Sequence, residues 1–243
     1  MKRNQIIAIL VISVTLILCA FIFSNAIKHR NDAANVISVT GMAERNFESD
    51  LIVWKSQFTV KNMNLTTAYA ELKKQSESTR HFLESKGIAK KEMTFSAAEI
   101  TKDYATITSN GNSISTFDGY RLTQQISITS NDVSKIEGIS REITELINSG
   151  IEITSLAPEY YYTKMADLKI KMLAEASQDG CQRAKTIAEN GEASLGRMMN
   201  CSMGVFQIVA QNSSEDYSWG GSFNTSSKKK TATITVKLQY QVK

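Results

Sequence analysis

The spacing of hydrophobic residues changes several times along the chain, and the first change separates an N-terminal segment from the rest. Residues 6–23 hold no charged side chain, and Lys2 and Arg3 precede them. This length is close to the ~20 apolar residues that cross a bilayer, and it exceeds the ~7–15 apolar residues of an ordinary signal peptide. We therefore predict that residues 1–26 form a membrane-targeting segment that is retained as a single transmembrane anchor.

Two alternatives for this segment stay open. The small residues in Ser24-Asn25-Ala26 are typical of a signal-peptidase site, so cleavage after Ala26 would release the remaining chain. Lipidation of Cys19 is a lesser option, because Leu18 stands where a small residue normally precedes a lipidated cysteine. We predict a bacterial inner-membrane protein with its domain in the periplasm, joined by a linker over residues 27–35. The cleaved form would be soluble in the same compartment.

Beyond the linker, segments with a hydrophobic period of two alternate with segments with a period of three to four. The first pattern predicts half-buried strands and the second predicts amphipathic helices. In chain order the predicted elements are strands at 36–40 and 51–61, a helix from residue 65 to Gly87, strands around 93–97 and 120–128 with a turn at 110–112 between them, a helix at 133–148, a strand from 150 to 162 that Pro158 breaks or confines to an edge, a helix at 164–189, a strand near 198–209, a polar loop at 211–227 and a final strand at 231–242.

The order of these elements predicts an α+β fold. Residues 51–162 follow the order βαββαβ, which is that of a split, ferredoxin-like sheet with its helices on one face. A long helix and two further strands follow, and Gly180 within the helix's buried stripe predicts a close approach to a sheet. We predict one domain over residues 36–243, with a subdivision near residue 163 as an option, preceded by the N-terminal membrane helix.

The net charge argues against nucleic acid as a partner. The chain of 243 residues carries a formal charge of +4. Without Lys2 and Arg3 about +2 remains, which is too little for a nucleic-acid binder. The one basic cluster beyond these residues is Lys228-Lys229-Lys230 at the start of the final strand, and we interpret it as a solvated strand end.

The sequence lacks catalytic and metal-binding patterns. His29 lies beside the apolar segment and His81 on the polar side of the first helix, so no multi-histidine metal site or supported triad is available. No nucleotide-binding glycine motif occurs. We therefore predict no catalytic, cofactor-binding or metal-ligating residue, no cofactor, and a protein that is not an enzyme.

The remaining candidates are cysteines and aromatic residues. Cys181 and Cys201 lack zinc-ligand spacing; an oxidising compartment would allow them to pair, and two buried thiols are the alternative. We interpret the run at 160–162, three tyrosines, as packing residues rather than a ligand-stacking site. Tyr217 and Trp219 lie in the polar loop, and we predict that they fold back onto their own domain, with contact to a partner as the alternative.

Several short motifs, taken in order, resemble the SIMPL domain family, also called the domain of unknown function 541. They are Ile37-Ser-Val-Thr-Gly41 leading into a strand, Lys86-Gly87-Ile88 after a helix, Asp118-Gly119-Tyr120 at a strand start, Ala174-Glu-Ala and Arg183-Ala-Lys185 in the long helix, Gly191 with Leu195-Gly196 after it, and the alternating final strand. The resemblance covers about residues 35–243. Met42-Ala43 departs from the pattern, since a second glycine is common there, as does Glu48-Ser49-Asp50, where a proline-aspartate often stands.

This resemblance implies an envelope or periplasmic α+β protein, with ring-like assembly in some members and a proposed link to envelope stress. It implies no catalytic residue. We therefore expect a non-enzymatic, membrane-anchored structural or interaction module that forms a homo-oligomer, binds the membrane through its N-terminal helix and has a protein partner still to be identified. The alternatives are a ring-like or pore-forming oligomer at the membrane, and a small-ligand binder or enzyme with a site assembled from scattered residues.

Overall fold

The computed structural model describes residues 12–24, 27, 35–109, 112–215 and 218–243. Residues 12–24 form a helix, α1, whose apolar side chains are exposed. In this described part of the chain, no helix is both long and apolar enough to cross a membrane. Of the predicted membrane-targeting segment, residues 1–26, residues 1–11 and 25–26 lie outside the described residues, as do most of the linker and the tip of the predicted turn.

The rest of the chain has a mixed α+β fold, as predicted. Its helices are α2 (Leu65–Ser85), α3 (Val133–Glu142) and α4 (Met165–Asn190), with 3-10 helices at Lys90–Glu92 and Ile143–Ser149. Its strands are β1 (Val36–Glu48), β2 (Leu51–Asn62), β3 (Met93–Phe95), β4 (Glu99–Ser109), β5 (Asn112–Ser130), β6 (Ile153–Ser155), β7 (Glu159–Tyr161), β8 (Leu195–Met203), β9 (Gln207–Ala210), β10 (Ser222–Phe223) and β11 (Lys229–Val242).

The first sheet has β2 and β5 at its centre. β5 pairs on its other edge with β3 and β4, and β2 pairs on its other edge with β6 and β7, all antiparallel. The predicted βαββαβ order is therefore confirmed, although the fourth strand is divided into β6 and β7. The stretch between residues 97 and 120 was predicted as a connection with a turn, but it contains β4 and the first part of β5. Pro158 lies between β6 and β7, where it has no ladder hydrogen bond to donate. Helices α2 and α3 cover one face, and the core between helices and sheet includes Ile52, Trp54, Phe58, Leu72, Leu83, Leu122, Ile126, Ile136 and Ile143.

The helix ends follow the predicted glycines, with one correction. Gly87 is left-handed, with φ of +80°, and the Ile88 N–H donates to the Leu83 carbonyl over 3.0 Å, as in a Schellman motif. The second helix was predicted to continue to residue 148; the α-helix α3 ends at Glu142, and the chain continues as a 3-10 helix over Ile143–Ser149 up to Gly150. The Ser140 carbonyl there accepts a hydrogen bond from the Ser155 hydroxyl, which competes with the helical bond that would continue α3.

The second sheet joins the two ends of the described domain. β1 pairs antiparallel with β11 along its whole length, from Val36 opposite Gln241 to Glu48 opposite Lys229. The other edge of β11 pairs with β8 and β9, and β10 lies beside β9. Helix α4 covers one face, and the second core includes Val39, Ala43, Leu168, Met172, Ala176, Ala184, Ile208, Ala232, Ile234, Val236 and Leu238.

Two predictions for this sheet were wrong. The first strand was predicted to end at residue 40, yet β1 continues to Glu48. The prediction was too short because the next inward positions are Gly41 and Ala43, which show no hydrophobic alternation. Two strands were predicted after the long helix, but the described residues that follow it form four. The break between β8 and β9 lies at Gly204, whose N–H donates to the Thr235 carbonyl over 2.9 Å.

Helix α4 lies directly against the backbone of β1. A Cβ atom on Gly41 would be 2.1 Å from the Ala176 carbonyl oxygen and 2.5 Å from the Gly180 nitrogen. The Met42 N–H donates to the Asp179 carboxylate over 2.9 Å. That hydrogen bond, followed by one from Arg183, holds the pKa of Asp179 below its usual value. The close approach predicted from Gly180 is therefore confirmed, and its partner is Gly41.

This contact predicts that Gly41→Ala lowers the free energy of unfolding by about 3 kcal/mol, at the upper end of overpacking costs, since the atoms in the way belong to the backbone. The measurement is urea denaturation followed by circular dichroism. The matched control is Gly138→Ala in α3, where a Cβ meets nothing within 4 Å; removing a helical glycine there should raise stability by about 0.5–1 kcal/mol. Equal denaturation midpoints for Gly41→Ala and the native protein would contradict this account.

Candidate interaction surface

The structure places His81 and the described acids away from any shared centre, and His29 lies outside the described residues. Within the described residues, no group of three or more His, Cys, Asp or Glu side chains is arranged to hold a metal ion. His81 is largely exposed on α2, with Glu84 3.9 Å away. The acids pair instead with lysines and arginines at the surface. The features that stand out are a projecting hairpin, an apolar groove, a buried lysine and a pair of thiols.

The hairpin formed by β4 and β5 extends past the rest of its sheet. β5 pairs with β2 only from Tyr120 onwards, so its preceding residues pair with β4 alone. We call residues 104–109 and 112–117 the β-arm. It is a two-stranded ribbon, and within the described residues the outer edge of β4 has no pairing strand.

Both faces of the β-arm carry large apolar side chains. Ile107 lies opposite Ile114, and these side chains are 57% and 62% exposed. On the other face Tyr104 lies opposite Phe117, with ring centroids 6.0 Å apart. Phe117 in turn packs edge-on against Tyr120 at 5.2 Å. The rings therefore connect the arm to the first core, while the isoleucine pair contacts solvent.

A charged cluster fixes the base of the β-arm. A register shift between Lys102 and Tyr104 leaves Asp103 outside the ladder. Arg121 donates to the Asp103 carboxylate through two guanidinium nitrogens. The Nζ atom of Lys61 lies 3.4 Å from Asp103 Oδ2 and 2.5 Å from Asp118 Oδ2. The hydrogen bond from Arg121 is the main cause that lowers the pKa of Asp103.

Gly119 allows the chain to pass the end of β2 at this base. Its φ is +109°, and a Cβ would lie 3.0 Å from the Asn62 carbonyl oxygen. A side chain at this position would therefore be strained by the backbone conformation and crowded by β2. The glycine of the Asp118-Gly119-Tyr120 motif is therefore required by the backbone at this position.

An apolar groove lies beside β8 and β9. Its volume is about 540 Å³, within the usual range of small-ligand sites. The described residues that line it are Met203, Gly204, Val205, Gln207, Ser218, Trp219, Thr233, Ile234 and Thr235. None of these carries a charge, so the groove offers shape and apolar surface rather than acid–base chemistry.

Trp219 at the groove is fully exposed, so the prediction that it folds back onto its domain was wrong. The loop is held through its backbone instead. The Gln207 side chain donates to the Ser218 carbonyl over 2.6 Å and accepts from the Ser218 N–H over 3.2 Å. Because these hydrogen bonds hold the loop, the Trp219 indole is not needed to pack it against the domain. Tyr217 lies outside the described residues.

Tyrosines at 160–162 occupy the joint between the two sheets. The Tyr160 hydroxyl donates to Glu137 over 2.9 Å, and burial, followed by this hydrogen bond, raises the pKa of Tyr160 to about 12. Tyr162 packs against Phe47 with ring centroids 4.9 Å apart. Both rings contact hydrophobic core clusters, so the interpretation of Tyr160 and Tyr162 as packing residues is confirmed.

Lys230 crosses the same joint and is only 1% exposed, so the interpretation of its cluster as a solvated strand end was wrong for this residue. Its Nζ donates to the Tyr160 carbonyl over 2.5 Å and lies 5.6 Å from the centre of the Phe223 ring. Burial lowers the pKa of Lys230 to about 8. The alternation in β11 indicated this burial, because Lys230 lies on the same face of the strand as the buried residues Ala232 and Ile234.

Cys181 and Cys201 are both exposed free thiols, so the alternative of two buried thiols was wrong. Cys201 lies on β8, most of whose side chains are exposed, including Met198 and Met203. α4 lies over β1 and β11 and barely reaches β8. Apolar and sulfur-bearing side chains therefore remain uncovered at this edge of the second sheet.

The fold and these surfaces define a two-sheet α+β protein whose prominent features are exposed apolar strands. The family model described as SIMPL, protein of unknown function (DUF541), matches residues 37–242, and the chain therefore belongs to the SIMPL family. A comparison with curated proteins finds no match. Three of the motif glycines have structural roles: Gly41 allows the close approach of α4, Gly87 ends α2, and Gly119 lies at the base of the β-arm.

The buried lysine predicts an unusual pH dependence. Because the folded-state pKa of Lys230 is depressed to about 8, its burial destabilises the protein below pH 8. This cost fades as pH rises towards the ordinary lysine pKa of ~10.4, where the unfolded chain also loses the proton. Lys230→Met should therefore raise the free energy of unfolding at pH 7 by on the order of 2 kcal/mol, after the lost hydrogen bond offsets part of the gain.

The measurement is urea denaturation of both proteins at several pH values between neutrality and the ordinary lysine pKa. The difference in the free energy of unfolding between the Lys230→Met variant and the native protein should shrink steadily as pH rises across that range. Lys229→Met, which alters the exposed neighbour, is the control and should show no such trend. A variant that is less stable than the native protein at every pH would refute the assignment of Lys230 as a buried charge with a net cost.

Proposed function

We propose that this SIMPL protein is a non-enzymatic, membrane-anchored interaction module of the bacterial envelope that self-associates through its β-arm. The β-arm is the observation that carries the proposal. An isolated two-stranded ribbon is marginally stable in water, and this one exposes Ile107 and Ile114 on one face. A partner that covers the isoleucines and pairs with the free edge of β4 supplies both missing interactions.

The residue types of the β-arm favour pairing with another strand. Soluble proteins commonly protect an exposed edge with lysine, proline or inward-pointing charges. From Tyr104 to Phe117 the chain has no charged residue and no proline, and most of its other residues are serine or threonine. The charges of this region lie at the base instead, on Lys61, Asp103 and Arg121. The β-arm is therefore left unprotected against edge-to-edge pairing.

A second copy of the chain is the partner that this surface fits best. The β-arm is uncharged, so two arms meet without repulsion, and the same patch on both partners forms a two-fold interface. Closed assembly into a ring needs a second, different contact surface. The groove beside Trp219 and the uncovered strand β8 are candidates for that contact, on the opposite sheet from the β-arm.

The membrane anchor in this proposal rests on the uncharged run from Ile6 to Phe23 after two basic residues. An anchor restricts neighbouring copies to one surface, which raises their local concentration and strengthens a weak arm-to-arm contact. If the segment is cleaved, the same contact acts between free periplasmic molecules. The link to envelope stress remains an expectation of the family resemblance.

The proposal predicts that the native full-length chain sediments as an oligomer at micromolar concentration, in detergent matched in density to the solvent. The double variant Ile107→Ser/Ile114→Ser should shift that distribution to the monomer by at least tenfold in dissociation constant. The physical reason is the loss of the exposed apolar pair, whose burial contributes roughly 1.5–3 kcal/mol per side chain.

The matched control is Ile170→Ser on α4, an isoleucine that is also largely exposed but lies outside the β-arm. It should sediment as the native protein does. A native chain that remains monomeric throughout the micromolar range would overturn the proposal. An oligomer that survives the double variant would place the interface elsewhere and overturn the role of the β-arm.

A further inference from the structure

Two cysteines lie close to Leu238 of β11, at the uncovered edge of the second sheet. Cys181 follows Gly180, the point where α4 touches β11; a Cβ on Gly180 would lie 2.6 Å from Leu238 Cδ1. Cys201 is the register partner of Leu238 on β8. Tyr240 lies two residues further along β11 on the same face. The two cysteines therefore flank the Leu238–Tyr240 stretch, one from the helix and one from the strand.

Tyr240 interacts electrostatically with both cysteines. Burial raises the pKa of Tyr240, and a hydrogen bond to Cys181 and the negative charges of the Cys181 and Cys201 thiolates raise it further. Among the described residues, these two thiols are the titratable groups that act on Tyr240. The strand register and the glycine contact are independent of this, and they place Cys201 and the residue before Cys181 beside the same residue, Leu238.

Both thiols are accessible from solvent. Each cysteine is an exposed free thiol, and α4 leaves the face of β8 that carries Cys201 largely open. The neighbours on that face are Met198 and Met203, each more than half exposed. A small reagent can therefore reach either sulfur without unfolding of the domain. Accessible, paired thiols are the arrangement that thiol–disulfide exchange requires.

We propose that Cys181 and Cys201 are a redox-active dithiol that closes into an intrachain disulfide between α4 and β8 when it meets a disulfide oxidant. This inference goes beyond self-association, because it assigns covalent chemistry to an edge of the second sheet that lies outside the β-arm.

The reaction is a two-step thiol–disulfide exchange. One cysteine thiolate attacks a sulfur of the oxidant disulfide, forms a mixed disulfide and releases the first oxidant thiolate, which takes up a proton. The second cysteine thiolate then attacks the protein sulfur of the mixed disulfide and releases the second oxidant thiolate. The protein loses two electrons and two protons, and the oxidant gains them as two thiols. The new bond ties the C-terminal half of α4 to β8.

The test uses the full-length chain with Cys19→Ser, so that only the two proposed thiols remain. The protein is equilibrated in mixtures of oxidised and reduced glutathione, quenched in acid and labelled with a maleimide that adds a fixed mass per free thiol. We expect both labels to disappear together in one two-electron transition. Proteolysis and mass spectrometry should then recover a peptide in which Cys181 is linked to Cys201.

The matched controls are Cys19→Ser/Cys181→Ser and Cys19→Ser/Cys201→Ser, each with one remaining thiol. They should keep their label or carry one glutathione, and should give no linked peptide. Stability gives a second readout, since oxidation should raise the urea midpoint of the two-thiol protein and leave both controls unchanged.

Loss of the two labels in separate transitions, as independent glutathione adducts, would overturn the proposal. A disulfide found only between two chains, seen as a dimer on a non-reducing gel, would overturn it as well. Neither result depends on the β-arm, because the same readouts apply to the Ile107→Ser/Ile114→Ser background.

Discussion

The backbone contact between Gly41 and Gly180 is the constraint on which the second half of the structure depends. It presses α4 onto β1 at a distance that no side chain permits, and β1 in turn pairs with β11 from end to end. One short contact therefore links the first strand of the domain, its longest helix and its last strand. Because α4 sits over β1 and β11, it leaves β8 uncovered, and the exposed thiol of Cys201 follows from that placement.

The same β11 strand carries the second sheet to its joint with the first. Lys230 lies near its start and donates a hydrogen bond to the Tyr160 carbonyl across the joint. The backbone N–H of Ser49, which lies between β1 and β2, donates to the Lys228 carbonyl over 2.9 Å. Burial of a lysine with a single hydrogen-bond acceptor lowers the free energy of unfolding. Charged groups buried in this way are weak contributors to stability, so the joint is specified by geometry and by the packing of Tyr162 on Phe47 more than by charge.

Local spacing and residue type were sufficient to predict the βαββαβ order, the helix end at Gly87 and the final strand at 231–242, because these features depend on residues close together in the chain. They failed where a long-range contact decides the residue type. Gly41 and Ala43 are small because α4 lies on them, so β1 was predicted too short. Trp219 is exposed because Gln207 holds its loop through the backbone. The placement of Cys181 and Cys201 around Leu238 depends on how a helix crosses a sheet, which spacing along the chain does not encode.

The motifs that place this chain in the SIMPL family coincide with close packing and left-handed turns rather than with reactive groups, which is why the proposed function rests on the β-arm. Amide hydrogen exchange of the native full-length chain at increasing protein concentration tests that claim most directly. The account predicts that the backbone amides of residues 104–109 become protected as concentration rises, while those of α2 and α3 stay constant. Exchange in the β-arm that is fast and independent of concentration would contradict it.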